Sequence, residues 1–267
     1  RTICAAIGHT WELPFEIPFI TWLQGLGGEG SFLYYLMNAI TMFGEEAILV
    51  GVMGLVYWGL DKKRGEKIGI FMLTTALINP MIKNVVCRTR PFDSHPDVVD
   101  NLRDVDGYSF PSGHSSGSAS VFVGAAVAYK DKKRKWLIAA AVVIPLLVAL
   151  SRNYLGAHYL TDVAAGLALG VGIVFLMDWL TTVVKNKYYI YGAILIVGLA
   201  GFFYCTTSDF FTAYGIAAGF MTGMLFEEKV TKFQNTRTWW RIVLRVLVGG
   251  ALYLGINSAL KGIVGAI

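Results

Sequence analysis

Residues Leu160–Leu180 read LTDVAAGLALGVGIVFLMDWL, and this apolar run is long enough to cross a membrane as one helix. The hydrocarbon core of a bilayer is about 30 Å thick and requires roughly 20 helical residues. Similar runs recur along the 267-residue chain, of which 55% is hydrophobic and only 15% is charged. A soluble domain usually carries more charge. The sequence therefore predicts an all-α protein, a polytopic transmembrane helical bundle.

Short polar breaks divide the apolar sequence into candidate membrane spans. These are Gly44–Leu60, Lys67–Val86, His114–Tyr129, Trp136–Leu150, Leu160–Leu180, Tyr189–Cys205, Phe210–Phe226 and Ile242–Lys261. We expect a six-span core over residues 44–205 and two additional C-terminal spans over residues 206–267. Residues 1–43 form an N-terminal segment, whose aromatic and acidic residues predict interfacial amphipathic helices that either anchor the protein or guide a lipid inward.

The basic residues cluster in loops beside the spans, at residues 61–64, 130–135, 185–187 and 229–241. Even numbers of predicted crossings separate these loops, so all of them fall on one membrane face. The positive-inside rule makes that face cytoplasmic. This topology accounts for the net charge of +5, so no nucleic-acid partner is expected. The prediction is a multi-pass protein of the cell membrane, with its polar motifs at the extracytoplasmic face.

The three cysteines, Cys4, Cys87 and Cys205, have neither a metal-binding spacing nor the even number of a disulfide framework. A Cys87–Cys205 bridge at the outer face is conceivable. Small buried thiols are ordinary in helical cores, however, and we therefore expect these two residues not to be bridged.

Two cations stand at the end of the second predicted span. Lys83 and Arg90 are seven positions apart, which corresponds to two helical turns, so both are expected to project from the same side of the helix. Pro91 is expected to end that helix just after Arg90. A guanidinium can fork onto phosphate oxygens while an ammonium adds a point charge. Alone, this pair would be interpreted as interfacial snorkelling.

The motif Pro111-Ser112-Gly113-His114 precedes a run of small residues that opens the third predicted span. Ser112 is a natural N-cap. The free N–H groups of a first helical turn and the positive end of the helix dipole form an anion site, and Gly113 lets the backbone approach closely. His114 is expected to point from this turn toward the anion. A capped helix with an incidental histidine is the alternative for this motif alone.

His158 and Asp162 lie four positions apart at the start of the fifth predicted span. The carboxylate can accept one imidazole N–H and leave the other nitrogen free as a nucleophile, although such a pair is more often a structural hydrogen bond. Arg152, six residues before His158, can add a third cation to the same phosphate. Charges and histidines at the ends of apolar helices are costly, and several of them at one membrane depth indicate a function.

Together, Lys83-x6-Arg90-Pro91, Pro111-Ser112-Gly113-His114 and Ser151-Arg152-x5-His158-x3-Asp162 resemble the complete three-part signature of the type 2 phosphatidic acid phosphatase superfamily. The resemblance implies that His158 attacks phosphorus, that Asp162 holds its ring, and that His114 protonates the departing alkoxide. It implies that phosphate charge is stabilised by the remaining signature positions, Lys83, Arg90, Ser112, Gly113 and Arg152. No metal and no other cofactor is implied, because these groups already supply a positive field.

The resemblance further implies a phosphatase that acts on a membrane lipid through a phosphohistidine. Candidate substrates are phosphatidate, phosphatidylglycerophosphate, a polyprenyl diphosphate and a sphingoid-base phosphate. Two alternatives stay open: a lipid phosphotransferase with the same intermediate, and a non-catalytic protein that binds or transports a phosphate lipid. A soluble haloperoxidase that uses vanadate shares the signature, but the hydrophobicity of this chain argues against it. The sequence leaves the oligomeric state open.

The implied mechanism sets one physical requirement. His158 must be neutral to attack, whereas His114 must be protonated to donate, so their surroundings should push the two pKa values apart. Activity should therefore peak within a limited pH range.

Overall fold

The computed structural model describes residues 11–132, 134–236 and 238–264, and every regular element in these ranges is helical. The α-helices are α1 (Glu16–Gly25), α2 (Phe32–Thr41), α3 (Glu46–Gly54), α4 (Lys62–Val86), α5 (Pro91–Ser94), α6 (Gly113–Ala128), α7 (Lys135–Tyr154), α8 (Leu160–Val183), α9 (Lys187–Leu199), α10 (Ser208–Phe226) and α11 (Trp239–Val264). The predicted all-α bundle is thereby confirmed. Cys4, Lys133 and Arg237 lie outside the described residues. So do residues 1–10 of the predicted N-terminal segment and residues 265–267 at the end of the last predicted span region.

Within the described residues, three helical segments are long and apolar enough to cross a membrane, namely α4 with its continuation to Ser94, α7 and α8. A fourth crossing results if Phe32–Gly44 and Glu46–Leu60, which meet at a bend of 53°, form one broken span. The predicted span Gly44–Leu60 therefore corresponds to the second half of a bent element. Shorter helices, α6 and α9, occupy the predicted spans His114–Tyr129 and Tyr189–Cys205.

The basic loops meet at one end of the bundle, which we call the basic end. Arg64 pairs with Asp131 at 2.9 Å, and Lys187 pairs with Glu66 at 2.6 Å and with Glu228 at 3.2 Å. Helix α4 begins in this region and is 25 residues long, so it extends about 37 Å to the opposite end. The phosphate motifs lie at that opposite end, which we call the motif end.

Helix α6 lies at the centre of the core and packs against α4, α7 and α8. Its many Gly, Ala and Ser residues allow close packing. On α8, Gly166 and Gly170 are about one turn apart. A Cβ atom at Gly166 would lie 2.5 Å from the carbonyl oxygen of Ser112, and one at Gly170 would lie closer still to that of Ser116. The two helix backbones therefore approach closely, which holds the start of α6 beside the start of α8.

The N-terminal helices α1 and α2 cover the motif end. The side chain of Gln24 donates to the carbonyl oxygens of Asp100 at 2.8 Å and Tyr154 at 3.1 Å, and it accepts from the Asp100 amide at 3.0 Å. A small apolar cluster joins the same segments, and its buried members are Leu23, Met37, Leu102, Tyr154 and Leu155. These contacts fix the loop between α5 and α6 over the motif end.

Helix α4 ends earlier than predicted. Its last residue is Val86, and Cys87 follows in the left-handed conformation with a φ of 51°. Arg90 then lies in extended backbone before α5. The prediction that Arg90 shares a helix face with Lys83 is therefore wrong. Pro91 starts α5 and does not end α4, which fits the preference of proline for the first turn of a helix.

The cysteines follow the prediction in one respect and depart from it in another. Cys205 is a free, buried thiol, so the Cys87–Cys205 bridge does not form, as expected. Cys87 is nevertheless disulfide-bonded. This bond lies at the motif end, because Cys87 directly follows α4.

Candidate active site

The predicted site residues come together at the motif end, although they belong to different helices and loops. Lys83 lies in the last turn of α4 and Arg152 in the last turn of α7. His114 lies in the first turn of α6. His158 directly precedes the N-cap residue of α8, and Asp162 lies in the first turn of that helix. The chain thus assembles cations, imidazoles and a carboxylate from segments that are distant in sequence.

His158 is almost fully buried, with 2% of its side chain exposed. It precedes α8, so helical i, i+4 geometry is not what brings it to Asp162. Its Nδ1 atom is 3.5 Å from Oδ2 of Asp162 and 3.4 Å from Oγ of Ser109. Its Nε2 atom is 3.4 Å from Nη1 of Arg90. Burial, followed by the positive charge of Arg90, lowers the pKa of His158 well below its usual 6.5, so the ring is neutral at pH 7.

Three further contacts fix the carboxylate of Asp162. Its Oδ1 atom accepts from Nη1 of Arg88 at 2.5 Å. Its Oδ2 atom accepts from the backbone N–H of Tyr159 at 2.9 Å and from the hydroxyl of Ser109. Tyr159 is the N-cap residue of α8, so the carboxylate also caps the helix in the manner of a capping box. Asp162 therefore stabilises the start of α8 and orients His158 at the same time.

Arg88 is a buried part of the site that sequence reasoning missed. Its guanidinium bonds Asp162 on one side and Oε2 of Glu16 at 3.1 Å on the other. It also lies over the rings of Trp11 and Tyr159, at 3.9 and 3.8 Å from the ring centroids. Two carboxylates and two rings thus engage this cation, so it supports Asp162 and is not free to bind phosphate. The one available signal was its position inside the first motif, as a second arginine.

Arg90 is held rigidly beside His158. Its Nε donates to the carbonyl oxygen of Gly107 at 3.0 Å, its Nη1 to that of Ala157 at 2.9 Å, and its Nη2 to that of Asp106 at 2.7 Å. These acceptors are neutral carbonyl groups, so they orient the guanidinium without cancelling its charge. Arg90 therefore faces Nε2 of His158 as a fixed positive group.

Lys83 and Arg152 are buried without a matching carboxylate. Their exposed fractions are 7% and 1%. Within the described residues the ammonium group of Lys83 forms no hydrogen bond or ion pair. Arg152 donates from Nη1 to Oγ1 of Thr41 at 3.1 Å, and its Nε has no partner among these residues. Burial of an unpaired charge is costly, so both cations are suited to a bound anion such as phosphate.

The start of α6 follows the prediction with one correction. Ser112 is the N-cap residue, as predicted, and its Oγ accepts from the Ser115 amide at 3.4 Å. Its own amide, however, donates to the carbonyl oxygen of Asp162 at 3.0 Å. The Ser112 amide is therefore not free for phosphate. The amides of Gly113 and His114 have no acceptor among the described residues and stay available as anion donors.

His114 has a carboxylate beside it. Its Nε2 atom is 3.3 Å from Oε1 of Glu45, in the bend between α2 and α3, and forms no aligned hydrogen bond within the described part of the chain. Sequence reasoning missed Glu45, which stands at the edge of a predicted span. The Nε2 atoms of the two imidazoles therefore face opposite charges: that of His158 faces Arg90, whereas that of His114 faces Glu45.

A neutral buried imidazole, an orienting carboxylate, unpaired cations and a helix N-terminus are suited to phosphoryl transfer. Since they lie at one end of helices that can cross a membrane, fold and site together define an integral-membrane phosphate-transfer protein. The family model described as "PAP2 superfamily" matches residues 67–188, and that described as "PAP2 superfamily phosphatase, transmembrane extension" matches residues 211–266. The chain belongs to the PAP2 superfamily.

Individual relatives agree with this assignment. Phosphatidylglycerophosphatase B of Bacillus subtilis is 32% identical over 161 residues, which cover 57% of this chain and 76% of the relative. Undecaprenyl-diphosphatase of Sulfolobus acidocaldarius is 33% identical over 146 residues, which cover 53% and 67%. A crystal structure of a transmembrane PAP2-type phosphatidylglycerolphosphate phosphatase from Bacillus subtilis matches with a TM-score of 0.55 and 30% identity, over 69% of this chain and 93% of that one. The predicted family and the predicted class, a lipid phosphatase, are confirmed.

Proposed function

We propose that the protein hydrolyses the phosphate ester or diphosphate of a membrane lipid at the extracytoplasmic face, through a phosphohistidine on His158. The observation that carries this proposal is that the Nε2 atoms of the two imidazoles face groups of opposite charge. Nε2 of His158 faces Arg90, and Nε2 of His114 faces Glu45. A nucleophile must be neutral and an acid must be protonated; the contact with Arg90 favours the first at His158, and the contact with Glu45 favours the second at His114.

In the first step the lone pair on Nε2 of His158 attacks phosphorus, and an N–P bond forms. The bond from phosphorus to the lipid oxygen breaks, and His114 gives its proton to that oxygen. The orienting contacts on Nδ1 of His158 favour this assignment, because Asp162 stabilises the charge that develops on the ring.

In the second step water attacks phosphorus, and His114, now neutral, takes the proton from this water. The N–P bond breaks, inorganic phosphate leaves, and both imidazoles return to their starting states. One water molecule is consumed for each phosphate released.

The cations stabilise charge on the equatorial oxygens of the phosphoryl group. Lys83 and Arg152 are buried and have no carboxylate in an ion pair among the residues that the structure describes, while Arg90 is aligned by carbonyl groups before any substrate arrives. Groups that are fixed in advance avoid reorganisation during the reaction, which makes this kind of stabilisation effective. The amides of Gly113 and His114 add donors at the positive end of α6. No metal has a role in this scheme.

The substrate class follows from the relatives and the fold. One relative is a phosphatidylglycerophosphatase and another is an undecaprenyl-diphosphatase, so both a monoester and a diphosphate are candidates. Phosphatidate and a sphingoid-base phosphate complete the set that we propose to test. In each case the lipid tail stays in the bilayer while the phosphate enters the motif end.

The extracytoplasmic position of the site is supported by two observations. The basic loops gather at the end of the bundle opposite the motifs, and clusters of Lys and Arg beside spans favour the cytoplasmic face. Cys87, beside the site, is disulfide-bonded, and disulfides persist mainly in oxidising compartments. Thiol-reactive labelling of intact and permeabilised cells, with single cysteines placed in the loops at each end, tests this orientation.

The decisive experiment measures phosphate release by purified protein in detergent across the four candidate lipids. We expect His158→Ala to lose activity by about 1,000-fold or more while the protein stays folded. His95→Ala is the matched control, because His95 lies at the motif end but outside the pocket. It is partly exposed, and its Nε2 atom is 2.7 Å from Oε2 of Glu12. Retained turnover in His158→Ala would refute the proposal.

The same samples separate the alternatives. A phosphotransferase would produce a phosphorylated acceptor alcohol in place of free phosphate. A binding or transport protein would keep its function in His158→Ala. Brief incubation with a ³²P-labelled lipid, followed by alkaline quenching, should trap an acid-labile phosphoprotein that is absent from the His158→Ala variant.

A further inference from the structure

Glu45 reaches the site from outside the residues that the family models match, 67–188 and 211–266. It lies in extended backbone at the bend of 53° between the two halves of the broken N-terminal element. The bend packs directly on His114, because a Cβ atom at Gly44 would lie 2.8 Å from Cβ of His114. The N-terminal segment therefore contributes a carboxylate to the wall of the catalytic pocket.

The carboxylate of Glu45 is itself held in place. Its Oε1 atom accepts from Nη2 of Arg103, whose Nη1 donates to Oδ1 of Asn38 on α2 at 3.2 Å. The same oxygen is 3.3 Å from Nε2 of His114. Arg103 and Asn38 thus fix Glu45 from the outside, and the imidazole lies on its inner side.

The charges around His114 make this carboxylate important. Burial and the positive charges of Arg152 on α7 and Arg103 in the loop before α6 disfavour a protonated ring, and His158 before α8 is a further titratable neighbour. Glu45 is the carboxylate that faces His114 within the described residues, and it favours the protonated ring. A phosphate site needs cations, but the same cations oppose the protonation that a general acid requires. Glu45 partly offsets them at His114.

We propose that Glu45 is a positioning residue that orients His114 and stabilises the protonated form of its imidazole for donation to the leaving group. This inference rests on the proposed role of His114 as the general acid. Glu45 does not touch the phosphate, and it acts only through the imidazole.

Leaving-group chemistry provides the test. An alkyl phosphate needs a proton on its departing oxygen, whereas p-nitrophenolate leaves without one. Glu45→Gln keeps the size of the side chain and an oxygen for Arg103 but removes the negative charge. We compare kcat/KM, because it covers only the steps up to departure of the leaving group and not the later attack of water. We expect kcat/KM on a short-chain phosphatidate at pH 8 to fall about 10-fold or more, while kcat/KM on p-nitrophenyl phosphate falls less than about threefold.

The pH profile gives a second readout. Loss of the carboxylate lets His114 give up its proton at lower pH, so the alkaline limb of kcat/KM for the lipid should move down by about 1 to 3 pH units. Glu45→Asp, which retains the charge, should keep the alkaline limb near its original position. The double variant Glu45→Gln, His114→Ala should be no slower than His114→Ala alone, since both changes remove the same step.

Glu46→Gln is the matched control. Glu46 is the next residue, is exposed, and accepts from the hydroxyl of Tyr253 at 2.7 Å on the other side of the bend. We expect its leaving-group dependence and its pH profile to match those of the original protein.

The outcomes separate this inference from the proposed function. If Glu45→Gln loses equal activity on both substrates and its alkaline limb does not move, the proposed role of Glu45 is wrong, but the proposed function is not affected. If kcat/KM of His114→Ala falls equally on both substrates, the assignment of His114 as general acid fails, whereas His158→Ala still tests the nucleophile. If Glu45→Gln does not fold, Glu45→Asp decides, because an alkaline limb that moves although the charge is retained would refute the proposal.

Discussion

Substitution of Gly166 by alanine tests how the close approach of α6 and α8 builds the site. The new Cβ atom would lie 2.5 Å from the carbonyl oxygen of Ser112. This is about 1 Å short of the roughly 3.5 Å at which non-bonded atoms pack best. The carbonyl oxygen of Ser112 belongs to the backbone and cannot turn aside as a flexible side chain could. The start of α6 must therefore move away from α8. That movement stretches the hydrogen bond from the Ser112 amide to Asp162, which is 3.0 Å long.

The expected cost has two parts. Overpacking of this kind costs about 1–3 kcal/mol, and the better helix propensity of alanine returns up to about 1 kcal/mol. Displacement of catalytic groups by about 1 Å can reduce the rate by on the order of 100-fold. We therefore expect a modest loss of thermal stability and a much larger loss of kcat on every lipid substrate.

Gly172→Ala is the matched control, because it lies on the same helix and no atom lies within 4 Å of the position that its new methyl group would take. It should be neutral or slightly stabilising and fully active. Thermal unfolding in detergent and phosphate release are measured for both variants. The reasoning fails if Gly166→Ala is as stable and as active as Gly172→Ala, because the backbones would then have room to spare.

Three further perturbations follow from the site. Arg88→Met leaves two buried carboxylates, Glu16 and Asp162, without their shared cation; removal of one partner of a buried pair costs about 3–5 kcal/mol, and unchanged thermal unfolding would contradict this. Because the pKa of His158 is lowered, the acidic limb of kcat/KM should begin only below pH 6.5, where the ring gains a proton; a half-loss above pH 6.5 on that acidic limb would exclude His158 as the nucleophile. Treatment with EDTA should leave phosphate release unchanged, and a loss that added Mg²⁺ restores would show that a metal takes part.

The sequence predicted those parts of the site that depend on chain order and local geometry. Ser112 caps α6 as expected, because an N-cap requires only a short side chain before a helix. His158 and Asp162 meet although the helical reason was wrong, since the carboxylate reaches back to cap α8 and so lies near the preceding residue. Arg90 reaches the pocket from extended backbone, where no periodicity applies. Local spacing thus identified the residues more reliably than it identified their conformations.

The site residues that the sequence did not indicate share a different property. Glu16 and Glu45 lie in the N-terminal segment, which the sequence indicated as an interfacial anchor or lipid guide, and their partners are far away in the chain. Ser109 lies in a polar loop with no distinguishing pattern, and it donates to Asp162 across 53 positions. Contacts of this kind depend on tertiary packing, and a single sequence carries no periodic signal for them.

The charges of the motif end explain why such distant acids are needed. Within the described residues, Lys83, Arg90 and Arg152 have no carboxylate in an ion pair, and a phosphate dianion can compensate them only when substrate is bound. A positive field of this kind favours the ionised carboxylate of Asp162 but opposes the protonated His114 that the proposed mechanism requires. Glu45 counters this field at His114, while Glu16 pairs with Arg88 and so balances the cation that Asp162 shares. The N-terminal segment therefore supplies the negative charge that allows nearby cations to be reserved for phosphate.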